Sequence, residues 1–501
     1  MTLLVTSLSS LFPAAAPLAE AGDAPATPEE RAAAYFAAIT DPAERNRFLR
    51  AMPKGADLHN HLSGAVYAES YFAYAVEDGL CIDLATYVVQ DCGPVWTRAV
   101  NIFADPEAYN AVIDAWSMRG WTPADGPGHE RFFATFGKFS RVTRVHTADM
   151  LAETASKAAA ENVLYLELML TLPGGRAQAL GSRLEWDGDF EAAYRRLMEL
   201  GMADVVAETV RAIDAVEAEV RAKLRCGTAA ADPGCDVVVR YVNQATRTAP
   251  PQEVFAQFVA GFELQRVDPR VVAQNLVSPE DNPNALAHYD LQMEMLRYLK
   301  TKYPGAHVDL HAGELTPALV DPEELCCHIR KAIEVAGAER IGHGVDILWA
   351  EGAPELLELM KAKDVAVAIN LTSNEMILGI SGADHPFPRY LAAGVPTVLS
   401  TDDPGVERID LTHEYQRAAE TYGLSYETLK GLSRNSITYS FLPGRSLWRD
   451  PAAYVPVAEC AGDELGSEAP SPACAAFLAG SEKARMQWKL EGAFRAFESA
   501  F

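Results

Sequence analysis

Short apolar runs of strand character alternate with helical patterns from Thr147 onward, and this alternation narrows the fold more than any other feature of the chain. The runs are Val163 to Met169, Val237 to Val242, Phe258 to Leu264, Val308 to His311, Arg340 to His343, Val365 to Asn370 and Thr397 to Asp402, preceded by a strand around His59. Together they make eight. Eight strands alternating with helices over roughly 350 residues is the count of an α/β fold of the (β/α)8 TIM-barrel type, whose active site lies at the C-terminal ends of its strands. Polar residues are therefore expected at strand ends, and His61, His311, His343 and Asp402 each close one of these runs.

The rest of the 501 residues divides around that barrel. Leu3 to Leu18 is apolar and rich in Ser and Ala, and Ala19-Glu20-Ala21 follows as a small-x-small cleavage site, so residues 1–21 read as a signal peptide although no Lys or Arg precedes them. Residues 22–52 form an N-terminal helical extension, with Thr27 as N-cap and a helix from Pro28 to about Met52 that Pro53 ends. The barrel occupies 53–410, with an insertion or lid in the mixed segment from Tyr67 to Trp121. Phe132, Phe133, Phe136 and Phe139 recur at helical spacing, a pattern that favours core packing over a substrate wall. Residues 411–501 read as a helical cap that ends in an amphipathic helix from Ala475 to Phe501. Past the leader no run is apolar and long enough to span a membrane.

Charge and cysteine usage narrow the setting. A formal net charge of −26 disfavours nucleic acid or an anionic membrane as partner, since both need clustered Lys and Arg, and a small neutral substrate is easier to accommodate. Cys81 with Cys92, Cys226 with Cys235 and Cys460 with Cys474 each close a short loop, as local disulfides of an exported, periplasmic or extracellular protein do. Cys326 and Cys327 lie in a helical pattern, where buried free thiols are expected.

Four motifs carry chemistry. In Asp57-Leu58-His59-Asn60-His61-Leu62 the alternation of a strand points His59 and His61 the same way, so that two imidazoles can grip one ion. His311-Ala312-Gly313-Glu314 adds a third histidine and, after two small residues, a glutamate placed to pass a proton. Arg340-Ile341-Gly342-His343-Gly344 sets a histidine between glycines that permit close approach of a ligand. Ser400-Thr401-Asp402-Asp403-Pro404 places adjacent carboxylates at a strand end, which is costly unless a cation or donors compensate them. Three histidines and a carboxylate suit Zn²⁺, which lowers the pKa of a bound water to about 7.

With Met52-Pro53-Lys54 before the first motif and Thr372-Ser373-Asn374 between the last two, the stretch from about Pro53 to Asp410 resembles the adenosine deaminases of the metal-dependent amidohydrolase superfamily. The leader, the local cysteine pairs and the long segment after the first strand are more similar to the secreted, growth-factor-related branch. The resemblance implies that His59, His61, His311 and Asp402 bind one zinc ion. It further implies that Glu314 protonates the purine ring, that His343 orients the attacking water and takes up its proton, and that Asp403 accepts a hydrogen bond from the substrate. Gly261, in Ala260-Gly261-Phe262-Glu263, matches the glycine whose backbone contacts the purine. The implied reaction is hydrolytic deamination of adenosine or 2′-deoxyadenosine to inosine or 2′-deoxyinosine plus ammonia.

One position departs from the family. Where the cytosolic form commonly carries an acidic residue that contacts the ribose, this chain has Ser63, which leaves the identity of the nucleoside open. Another aminated purine or heterocycle is the alternative substrate. A nucleotide is disfavoured, because no Lys or Arg cluster lies beside the motifs. A non-catalytic extracellular binding protein on a deaminase scaffold is the alternative from a different class, and it is disfavoured by the presence of every ligand together with Glu314 and His343.

Overall fold

The computed structural model describes residues 26–501; the leader expected over 1–21 lies outside them. Eight parallel strands form the barrel: β1 (Gly55–His61), β2 (Val163–Leu170), β3 (Val238–Thr246), β4 (Val271–Val277), β5 (Asp309–Ala312), β6 (Arg340–His343), β7 (Ala366–Ile369) and β8 (Thr397–Leu399). They pair in chain order as two four-stranded arcs, β1 to β4 and β5 to β8. Parallel bridges from Gln274 to Val308 and from Asn60 to Asp402 close the ring at its two seams.

Seven of the eight strands lie where the sequence pattern places them. The exception is Phe258 to Leu264, which belongs to the helix Pro251–Val267, while the true fourth strand, Val271–Val277, follows it. The physical reason is burial on all sides. Every residue of that helix from Val254 to Leu264 is buried, so it lacks the polar face that gives a surface helix its period, and a short window of it reads like a buried strand.

At the N-terminal mouth of the barrel the interior is ionic. The Arg340 guanidinium, wholly buried, lies 2.6 Å from Glu167 Oε2 and 3.1 Å from Asp309 Oδ2, and it also donates to the Leu58 carbonyl. Strands β2 and β6 are not neighbours, so this contact crosses the lumen. Phe441 covers the group from below, with its ring centroid 4.5 Å from the guanidinium carbon and its backbone N–H bonded to Glu167.

Outside the barrel, two helices, Pro28–Ala38 and Pro42–Ala51, stand in place of one; Asp41 caps the second and Pro42 starts it. Thr27 is the expected N-cap and makes a capping box with Glu30. The insertion after β1 holds the helix Ala68–Glu77 and a small three-stranded antiparallel sheet, and further helices lead to His129–Thr143. The helix Tyr426–Thr438 packs against both β1 and β8, so the outer ring of the barrel runs past Asp410 and the cap begins after it. The final amphipathic segment is two helices, Pro472–Ala479 and Glu482–Glu498. Among the described residues no helix is long and apolar enough to cross a membrane.

The three local cysteine pairs are disulfides with the expected connectivity. Cys326 and Cys327, expected as free thiols, are instead bonded to each other, at the junction between the 3-10 turn Pro322–Cys326 and the helix His328–Glu334.

The ionic floor of the barrel gives a direct test. Replacing Arg340 leaves two carboxylates without their cation at zero exposure, a change that typically costs about 3–5 kcal/mol. Arg340→Met is expected to lower the free energy of urea unfolding by that order, and a loss below about 1 kcal/mol would show that the pair does not hold the barrel floor.

Candidate active site

At the opposite mouth, the β1/β8 seam delivers the first ligands. His61 N–H donates to the Asp402 carbonyl and Asp402 N–H donates to the His59 carbonyl, both at 2.9 Å. These backbone bonds set the side chains side by side: Asp402 Oδ1 lies 3.4 Å from His59 Nε2 and 3.3 Å from His61 Nε2. His311, at the end of β5, brings its Nε2 to 3.1 Å from His61 Nε2. His59, His311, His343 and Asp402 offer ligand atoms within 4.8 Å of one another, as do His61, Asp402 and Asp403.

Whether these atoms fit a metal can be read from their hydrogen bonds. His61 Nδ1 donates to Gln244 Oε1 at 3.1 Å and His311 Nδ1 to Asn275 Oδ1 at 2.8 Å. Both rings therefore turn Nε2 to the centre, and two such nitrogens 3.1 Å apart need a proton or a metal cation against them. Neither nitrogen of the buried His59 ring has a hydrogen-bond partner, nor does Asp402 Oδ1. Burial acts against a charged His61, yet the Asp403 and Asp402 carboxylates outweigh it and hold that imidazole up to about 9. A converging set of three nitrogens and a carboxylate oxygen in a negative field fits one divalent metal.

The residues around this cluster are positioned from behind. Ser373 donates to Asp402 Oδ2 at 2.7 Å, and Asn374, next to it on the helix Leu371–Leu378, bonds His343 Nδ1 at 2.9 Å. The direction of that second bond is fixed further out. Phe387 N–H donates to His385 Nδ1, so His385 Nε2 carries the proton and donates to Asn374 Oδ1, and the Asn374 amide nitrogen donates to His343. His343 is thus neutral with its proton on Nε2, in keeping with burial that pushes it down to about 3. That tautomer can orient a water by donating to it.

Glu314 sits at 3.6 Å from His343 Nδ1, on a turn held by a residue that no sequence motif marks. Glu280 accepts from the backbone N–H groups of Gly313 and Glu314 at 3.2 and 2.9 Å, and from His328 Nδ1 at 2.7 Å, with the buried Arg247 guanidinium 3.6 Å away. Burial opposes ionisation of Glu280, but the His328 bond and the Arg247 charge outweigh it and hold its carboxyl down to about 2. The opposite holds for Glu314. Burial, then the Asp402 and Glu280 charges, push its carboxyl well above the usual range and keep it protonated. Asp403 is likewise raised by burial and by Asp402.

The cavity over these groups measures about 270 Å³ and is lined by Ser63, Asp403, Glu314, His343 and an aromatic wall of Phe132, Phe133 and Phe136. Phe132 and Phe139 are buried in the core as expected, Phe139 stacking on Tyr71 at 4.8 Å, while the half-buried Phe133 and Phe136 depart from the core-packing expectation and, with an edge of Phe132, wall the cavity. Gly64 is required beside Asp403, since a Cβ there would lie 1.6 Å from the carboxylate.

Gly261 is not at the site. It lies inside the helix Pro251–Val267, where a Cβ would strike the side chains of Gln274 and Asn243, so its smallness serves the seating of that helix on the barrel. The backbone that reaches the pocket after β4 is Ser278, with φ of +86°. His343 and Asp402 share such left-handed values, +68° and +58°, a strain that persists in non-glycine residues where the surroundings enforce it and that clusters at functional sites. Ser278 and Glu280 escape the sequence pattern because the strand that leads into them is misplaced there. With Val271–Val277 as the fourth strand, Glu280 stands out as a carboxylate just beyond a strand end.

Comparison with known proteins agrees with this arrangement. The family model described as adenosine deaminase matches residues 117–447. The chain belongs to the adenosine deaminase family. It is 38% identical over 139 residues to an adenosine deaminase of Klebsiella pneumoniae, a stretch that covers 28% of this chain and 38% of that relative's length. Among solved structures it is similar to an Arabidopsis N6-mAMP deaminase, with 22% identity, a TM-score of 0.51 and coverage of 79% of this chain and 96% of that one. An amidohydrolase from Burkhoderia ambifaria with bound Zn matches at 18% identity and a TM-score of 0.51, covering 83% and 92%. These two likenesses show the shared barrel fold.

The role of Glu280 can be tested through pH. Its carboxyl sits at about 2 in the folded protein against about 4.3 in an unfolded chain, so the stability it contributes is present above the unfolded value and is lost as pH falls toward 2. Glu280→Gln is expected to flatten the fall in unfolding free energy between pH 4 and 3 by up to about 1.4 kcal/mol per pH unit, read by urea unfolding; an unchanged slope contradicts the assignment.

Proposed function

We propose that this chain catalyses zinc-dependent hydrolytic deamination of adenosine, 2′-deoxyadenosine or a close purine relative. The observation that carries the reading is a protonated, buried Glu314 beside a converging His59, His61, His311 and Asp402 donor set, under an aromatic wall. The names of two structural neighbours support its chemistry, one being an N6-mAMP deaminase and the other an amidohydrolase with bound Zn.

His59, His61, His311 and Asp402 would hold the metal, which when bound supplies Lewis-acid activation of a water. His343 offers its Nε2–H to that water as a hydrogen bond and so fixes its approach to the amine-bearing carbon. Glu314 holds a proton at its carboxyl oxygen and delivers it to the adjacent ring nitrogen as the C–O bond forms, which removes the negative charge that addition would leave on the ring. Of the two protons that the water brings, one leaves with the amine as ammonia and the other restores Glu314, and the carbonyl of the product ring forms. The phenylalanine wall excludes water from the purine faces, and Asp403, whose Oδ1 is buried without a partner, is free to bond the base. Ser278, in place of Gly261, presents the backbone beside the purine.

An exported setting and a place in the secreted branch belong to the same proposal. They are supported by four disulfides, which persist in oxidising compartments. Cell fractionation with N-terminal sequencing checks the setting, with an exported protein starting near Gly22 expected and a protein retained in the cytoplasm with Met1 intact contradicting it.

Glu314→Gln is expected to keep the metal and to lower kcat for ammonia release by about 10²–10⁴-fold. A rate within threefold of the parent would show that Glu314 is not the proton donor.

A further inference from the structure

A second cleft, of about 560 Å³, opens beside the purine cavity. The two share Ser63 and Gln244 in their walls, so a ligand seated under Phe132 and Phe136 can extend past Ser63 without leaving the protein surface. We infer that this cleft is a phosphate subsite and that the preferred substrate is the 5′-monophosphate of the aminopurine nucleoside. The inference rests on the deaminase reading above and specifies its substrate class.

Charge is the first argument. The chain carries 69 acidic residues against 43 basic ones, yet no Asp or Glu lines this cleft, while Arg144 and Arg176 both do. Arg144 makes no side-chain hydrogen bond or ion pair among the described residues, so its guanidinium is available to an incoming anion. Arg176 is held by the Pro173 carbonyl and by Glu208 at 3.0 Å, which anchors the loop Thr171-Leu172-Pro173-Gly174-Gly175 at the cleft's edge.

Hydrogen-bond direction is the second. Gln244 accepts from His61 through Oε1 and donates through Nε2 to Thr171 Oγ1 at 3.3 Å. Because the Thr171 oxygen already accepts, its hydroxyl proton is left to donate into the cleft. Gln244 thus links a ligand of the metal cluster to a donor of the second cleft.

Ser63 is the third. An acidic residue at this junction would repel a phosphate, whereas a serine hydroxyl carries no charge and can donate to it. In the sequence a nucleotide is disfavoured because no basic cluster adjoins the motifs. Arg144 and Arg176 are distant from every motif in the chain and reach the site through the end of the helix His129–Thr143 and the loop after β2.

The test compares AMP with adenosine, and dAMP with 2′-deoxyadenosine, on the metal-loaded full chain. The monophosphate is expected to show at least a tenfold higher kcat/KM, with a preference that shrinks as salt rises, and IMP is expected to bind at least tenfold more tightly than inosine by calorimetry. In Arg144→Ala the AMP-to-adenosine ratio is expected to fall by tenfold or more, and in Arg144→Glu further still. Adenosine turned over as well as or better than AMP overturns the inference and leaves the deaminase reading intact. A monophosphate preference that both Arg144 variants retain, with their unfolding midpoints unchanged, overturns the assignment to this cleft. Deamination of neither substrate overturns the deaminase reading, and the inference with it.

Discussion

The two backbone hydrogen bonds across the β1/β8 seam, from His61 to Asp402 and from Asp402 to His59, are the contact on which the site depends. A parallel barrel can close only if its last strand finds register with its first. Here the residues that register joins are the ligands themselves. Asn60 and Thr401, which lie between them in sequence, bond to each other and to the buried Asp57 carboxylate, so the seam is locked by side chains as well as backbone. The register that closes the barrel thus also brings three of the four donor residues together.

Around this seam the protein keeps two kinds of buried carboxylate. Glu167, Asp309 and Glu280 face arginines: Arg340 pairs with the first two and Arg247 lies against the third. Asp402, Asp403 and Glu314 have no arginine or lysine within ion-pair distance among the described residues. The first kind holds the architecture, and the second leaves negative charge and exchangeable protons where a cation and a basic ring nitrogen would meet them. The low-lying Glu280 carboxylate serves both ends, because it binds the turn that carries Glu314 and adds to the field that keeps Glu314 protonated.

Much of this is legible in the chain. Apolar runs between helical patterns reveal seven of the barrel strands, and four of these can also be read from the histidine or aspartate that closes the run. The helix Pro251–Val267 defeats the same criterion, since a helix buried on every side has no period to betray it. The loss of β4 carries Gly261 into the expected site and leaves Ser278 and Glu280 out. The phenylalanine stripe is ambiguous for a related reason: a pocket wall and a core face have the same spacing, and only the tertiary arrangement separates the buried Phe132 and Phe139 from the half-buried Phe133 and Phe136. Arg144 and Arg176 carry no local signature, because what matters about them is that they line one cleft whose wall holds no carboxylate, a property of the tertiary arrangement.

Everything proposed for this site requires that His59, His61, His311 and Asp402 hold one divalent metal on which deamination depends. Elemental analysis of the purified chain, paired with ammonia release before and after chelation, tests it most directly. The expected result is one zinc per chain, loss of activity on its removal, recovery on its return, and no stoichiometric metal in Asp402→Ala. Undiminished deamination by protein shown to be metal-free would contradict it.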